Sequence, residues 1–165
     1  EVEAAIRASL TAPRDAPRTL TDVADMRARL DRERPARSLW DLKEAKGGLF
    51  DGEFIVQGLQ LVHGSQASEV LNPNTLQALR TLRAADALAA ADAQLLESAT
   101  YVYQTVIQAL RLTVEGPFNP AEASASLRAL IARSANLGSF AEVEAALTQA
   151  EAAVRACFTK LIGPL

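Results

Sequence analysis

Cysteine and histidine occur once each, as Cys157 and His63, in a chain of 165 residues. A single thiol excludes an internal disulfide, and one histidine excludes both a multi-histidine metal centre and a Cys/His pair backed by a second histidine. Aromatic residues make up only 5% of the chain, too few for a sheet-rich core built on aromatic and β-branched packing. Positive charge is not in excess: 17 Lys and Arg face 20 Asp and Glu, a net charge of −3 that gives no whole-chain field for a nucleic-acid backbone. No apolar run approaches the roughly 20 residues that span a bilayer, and neither a G-x-x-x-x-G-K-[ST] phosphate loop nor a dinucleotide fingerprint occurs. The expectation is a soluble domain with no nucleic-acid or membrane partner, and its lone thiol is compatible with a cytoplasmic location without establishing it. Because it opens on Glu1 without a methionine or leader, it is also expected to be a piece of a longer protein.

Alanine and leucine dominate what is present, which favours helices packed through small and aliphatic side chains. Glu1 to Thr11 is compatible with a helix, and the Pro13/Pro17 pair separates it from the next. Leu20, Val23, Met26 and Leu30 recur at helical spacing behind Thr19 or Thr21 as cap and ahead of Pro35, which predicts a helix over about 20–34. Asp51 to His63 is apolar around most of its circumference, with Glu53, Gln57 and Gln60 on one narrow stripe at about 100° per residue. This segment is expected to be the most buried helix. Leu76, Leu79 and Leu82 mark another helix after Asn72-Pro73-Asn74. A long one follows over about 90–114, closed by Gly116-Pro117-Phe118-Asn119-Pro120. Leu127, Leu130 and Ile131 define a short helix, and the stripe from Phe140 to Leu161 a last long one. The fold class these periods predict is all-α, an up-and-down bundle with a four-helix core and short extra helices.

Between Pro35 and Gly48 runs a stretch of roughly fourteen residues, longer than the few residues that usually join packed helices. Gly47 and Gly48 permit positive φ and close approach, the free N–H groups of a helix start favour a negative group, and Lys43 and Lys46 stand beside it. A phosphate or an acidic side chain fits that description. A plain turn, with Asp51 offsetting the helix dipole and Glu53 solvated, fits it too. Trp40 is read as an anchor of this loop, Tyr101 and Tyr103 as packing residues with at most one hydroxyl bond each, Cys157 as a buried structural thiol, and His63 as an ordinary helix-end residue.

Residues 41–57, DLKEAKGGLFDGEFIVQ, resemble a motif of the helical domain of glutamine synthetase adenylyltransferase, D-[IL]-K-x-x-x-G-G-[IL]-x-[DE]-[IV]-E-F-I-x-Q. Asp41, Lys43, Gly47, Gly48, Asp51, Glu53, Phe54, Ile55 and Gln57 match it, and Gly52 departs from the usual aliphatic residue. The resemblance extends over residues 20–85, taking in Val23, Met26 and Arg27 upstream and Asn74-Thr75 downstream.

It implies one helical domain over 1–165, of which 1–17 are the tail of a preceding nucleotidyltransferase domain. The parent is then a bifunctional enzyme that adenylylates and deadenylylates glutamine synthetase, with ATP and magnesium as its cofactors. Asp51 and the long last helix favour the C-terminal, adenylylating half. The family's catalytic G-S-x-x-D-x-D pattern is absent from the sequence, so the expectation is a domain inactive alone, with no catalytic residue, metal or cofactor of its own. Arg27, Asp41, Lys43, Gly47, Gly48, Asp51, Glu53 and Gln57 become the candidates to line a cleft shared with the transferase domain. The alternative is a regulatory module that docks glutamine synthetase, the PII protein or the sister half of the enzyme.

Overall fold

The computed structural model describes residues 2–164. Helix α1 is Val2–Leu10; Glu1, included in the expected opening segment, lies outside the described residues. The others are α2 Ala16–Glu33, α3 Leu49–His63, α4 Thr75–Ala84, α5 Ala90–Thr113, α6 Ala125–Ser134 and α7 Phe140–Leu161, with a short 3-10 turn at Ser68–Val70. No strand occurs among the described residues, and no helix there is long and apolar enough to cross a membrane. The protein is an all-α helical domain.

Side-chain caps set several of these starts. Asp15, Asn74, Ser124 and Ser139 each accept a hydrogen bond from the backbone N–H three residues on. Ser139 and Glu142 form a reciprocal box, since the Glu142 carboxylate also receives the Ser139 hydroxyl and the Gly138 N–H. The start of α2 differs from the sequence expectation. Asp15 caps it rather than Thr19 or Thr21, and Pro17 stands inside the first turn, where its missing N–H costs nothing. Pro17 therefore begins the helix instead of separating it from its neighbour.

Helices α3, α5 and α7 are in mutual contact at the centre. Helix α2 lies against α3, α4 bridges α3 and α5, and α6 bridges α5 and α7. Ile55, Leu79, Leu82, Leu96, Val106, Ile131, Leu147 and Phe158 are almost completely withdrawn from solvent and form the middle of one continuous core. Thr100 is buried with them, and so is Cys157, whose thiol is pushed up to about 11 chiefly by burial. The Gln60 amide, on the polar stripe of α3, donates to the carbonyls of Val70 and Asn72 and ties down the 3-10 turn. Two expected core residues lie outside: Met26 is 54% exposed and Tyr101 60% exposed. Helix α1 buries no residue and is held at the edge by Arg7, which donates to the Ser68 hydroxyl.

Trp40 pins the long loop between α2 and α3. Its ring stacks on Phe140 with centroids 5.1 Å apart and meets Phe118 edge-on at 4.6 Å. The loop is thereby fixed to the start of α7 and to the segment after α5. Trp40→Ala removes a buried indole from this trio and is expected to destabilise the chain by about 3 kcal/mol or more, read as a lowered midpoint in urea unfolding followed by circular dichroism.

Candidate functional site

The matched segment folds around a buried ion pair. Arg27 and Asp51 are both 0% exposed, and the Arg27 Nε donates to Asp51 Oδ1 at 2.6 Å. Such a pair is stable only when the remaining donors and acceptors are also satisfied, and here the loop supplies the partners. Arg27 Nη2 donates to the carbonyls of Glu44 at 2.9 Å and Ala45 at 3.3 Å. Asp51 Oδ2 accepts from the Gly47 N–H at 2.8 Å and faces Arg155 Nη1 of α7 at 3.4 Å. The Tyr103 hydroxyl of α5 donates to the Gly47 carbonyl at 2.8 Å. One glycine thus joins α3 and α5 through its two peptide groups.

Gly47 has φ of +87°, and a Cβ there would collide with the backbone of Glu151. The position requires glycine for conformation and for the close approach of α7. Gly48 is enclosed by the carbonyls of Leu42, Ala45 and Lys43, where a Cβ would come within 2.7 Å of the first. The Gly48, Leu49 and Phe50 N–H groups donate to Ala45, Leu42 and Lys43 respectively. The expected anion seat at this turn is therefore filled by the loop's own carbonyls and the Asp51 carboxylate.

The eight residues singled out from sequence divide by position. Arg27, Gly47, Gly48 and Asp51 form the buried clasp. Asp41 shapes the loop entrance, its Oδ2 accepting the N–H groups of Arg37 and Ser38 at 2.6 and 3.0 Å. Lys43 and Glu53 sit together, both half-buried; burial raises the Glu53 pKa and the nearby Lys43 charge partly offsets this. Gln57 is exposed and faces grooves toward α1 and α2, apart from the others.

Arg155, Glu151 and the specific part played by Tyr103 escaped sequence reasoning. Burial raises the Tyr103 pKa well above the usual phenol range, and the carboxylates of Glu151 and Asp51 add to it. The hydroxyl stays a protonated donor. Burial also pushes Glu151 up to about 7, and its Oε1 is buried without a hydrogen-bond partner. The Asp51 carboxylate is engaged on both oxygens, and among the described residues no three His, Cys, Asp or Glu side chains are grouped to hold a metal ion. The donor set does not fit a magnesium site.

An all-helical domain whose glycine-bearing loop is clasped by a buried arginine–aspartate pair is thus the class that fold and site define. The family model described as GlnD PII-uridylyltransferase matches residues 23–162, and the chain belongs to that family. It is 42% identical over 162 residues to a bifunctional glutamine synthetase adenylyltransferase/adenylyl-removing enzyme of Rhodopseudomonas palustris strain TIE-1, covering 98% of this chain. Proteins of the same description from Bradyrhizobium sp. strain BTAi1 and Xanthobacter autotrophicus strain Py2 are 38% and 36% identical, again over 98% of this chain. In each case the chain spans 16% of the relative's length.

Two measurements test the clasp. Asp51→Ala leaves the Arg27 guanidinium buried without its counter-charge and is expected to cost about 3–5 kcal/mol. Arg27→Ala should cost a similar amount, and the double variant less than the sum, with a coupling of about 2 kcal/mol in a double-mutant cycle. Additive losses would refute a direct pair. For Glu151 the raised pKa means that the folded state favours the protonated carboxyl. Its contribution is complete below the ordinary carboxylate value of 4.5, declines as pH rises, and is lost above about 7. Glu151→Gln abolishes that dependence. Its melting temperature should exceed that of the parent chain by about 2–4 °C near pH 8, after allowance for solvent screening, and match it near pH 4.

Proposed function

We infer that this chain is a helical accessory domain of a bifunctional glutamine synthetase adenylyltransferase, and that residues 36–57 line a cleft shared with the nucleotidyltransferase domain of the same protein. The reading is supported chiefly by the loop's construction. A connector would not need four helices to fix one short loop, whereas a wall of an active-site cleft must hold its polar rim in place. The clasp residues Arg27, Gly47, Gly48 and Asp51 act in this reading by positioning. Lys43 and Glu53 at the rim are the groups that approach the nucleotide phosphates and the basic groups around them, and Asp41 holds the loop entrance. ATP and magnesium belong to the transferase domain, which supplies the phosphoryl chemistry, and the domain is inactive alone in the cytoplasm where glutamine synthetase is its target.

Helix α1, with no buried residue and with Val2 and Ile6 73% and 54% exposed, suits the tail of the preceding domain expected over residues 1–17, although Ala16 and Pro17 already open α2. A carboxylate at position 51 and the length of α7 favour the C-terminal, adenylylating half. A regulatory role in docking glutamine synthetase, the PII protein or the sister half of the enzyme is the second reading, in which an outer helix face rather than the loop would carry the function.

AMP incorporation into glutamine synthetase by the intact enzyme separates the two. Lys43→Ala and Glu53→Ala are each expected to lower turnover at saturating protein substrate by tenfold or more, about 1.4 kcal/mol of transition-state stabilisation, with thermal stability little changed. Normal turnover in both variants would remove the cleft reading.

A further inference from the structure

Helix α5 presents a second polar and apolar stripe on the side away from the core. Tyr101, Gln104, Gln108 and Arg111 follow at spacings of three and four, with Leu112 beside the last, so they run along one face for about 16 Å. Together with Lys43 of the clasped loop, these residues border an open groove of about 820 Å³. Leu112 is 84% exposed and Tyr101 60%, an unusual placement for two large apolar groups on the most extensively packed helix pair of the fold.

Charge selects the kind of partner. Acidic residues outnumber basic ones in the chain, 20 to 17, yet the groove is lined by Lys43 and Arg111 and by no aspartate or glutamate. Among the described residues neither cation has a carboxylate within ion-pair distance, although Lys43 lies near enough to Glu53 to act on its ionisation. The glutamine amides between them offer hydrogen bonds of either sense.

We propose that the α5 groove docks an acidic peptide segment of a partner protein, which sets carboxylates on Lys43 and Arg111 and an aliphatic side chain over Tyr101 and Leu112. The surface differs from the nucleotide cleft and meets it at Lys43 and Leu49. The half-buried Lys43 and the exposed Arg111 steer the segment and an apolar contact holds it, the division of labour between rim and centre common to transient interfaces.

The test is fluorescence anisotropy of a labelled peptide of alternating glutamate and leucine, titrated into the intact protein, beside the same peptide with glutamine for glutamate. The expected result is binding of the acidic peptide alone, weakened by added salt. Affinity should fall about tenfold in the Lys43→Ala, Arg111→Ala pair and in Leu112→Ser, with melting temperatures unchanged. Absence of binding, equal binding of the glutamine peptide, or affinity indifferent to these variants overturns the proposal. Peptide affinity lost with Lys43 and Arg111 but untouched by Leu112→Ser, with inorganic tripolyphosphate bound as tightly as the peptide, overturns it in favour of a small-anion site. Loss of AMP transfer in Lys43→Ala with peptide affinity intact would leave the cleft reading standing and this one refuted.

Discussion

Two opposite charges withdrawn entirely from water, Arg27 and Asp51, set the terms for everything around them. Desolvating each ion costs several kcal/mol, and mutual attraction alone seldom offsets that. The structure supplies the difference by turning the loop inward. The Glu44 and Ala45 carbonyls, the Gly47 N–H and the Arg155 guanidinium complete the coordination of the pair. The loop path is thus a consequence of the ion pair, because no other route brings those peptide groups to it.

That path in turn fixes the helix arrangement. Gly47 must sit with positive φ hard against the backbone of α7, and its carbonyl must meet the Tyr103 hydroxyl of α5. Helices α2, α3, α5 and α7 therefore converge on the short stretch of loop from Glu44 to Gly47. Trp40, stacked on Phe140 and Phe118, secures the other end of the loop. Between these two anchors Lys43 is carried at a defined place on the surface, beside Glu53 and at the edge of the α5 groove. The position of a surface lysine follows from interactions it does not make.

Much of the helical skeleton was legible because amphipathic periods survive into the fold: the predicted segments over 51–63, 90–114 and 140–161 correspond to α3, α5 and α7 within a few residues. The exceptions have local causes. Met26 was placed inside because it continues the spacing of Leu20 and Val23, yet the buried line of α2 runs through Ala24 and Arg27, about 100° away. A long arginine with a partner displaces an unpartnered methionine from the core. Tyr101 was placed inside on residue type alone, while Tyr103, two residues on and about 200° round the helix, takes the interior position. Arg155 and Glu151 could not be read as members of the site, since nothing in the order of residues tells that α7 crosses the loop at Gly47.

The clasp itself was written in the sequence in a form that matching one segment at a time overlooks. On α3, Asp51 stands about 160° from Glu53 and so opposite the polar stripe, among Ile55, Leu59 and Val62. On α2, Arg27 occupies the buried line of its own helix. Each is a charge on an apolar face, and each alone would be too costly to bury. Opposite in sign, on consecutive helices joined by a loop too long for a simple turn, the two anomalies resolve only together. The same reasoning separates the two glycines that follow Lys46 from an anion-binding turn, because a carboxylate committed to the interior four residues downstream already claims the Gly47 N–H that an external anion would need.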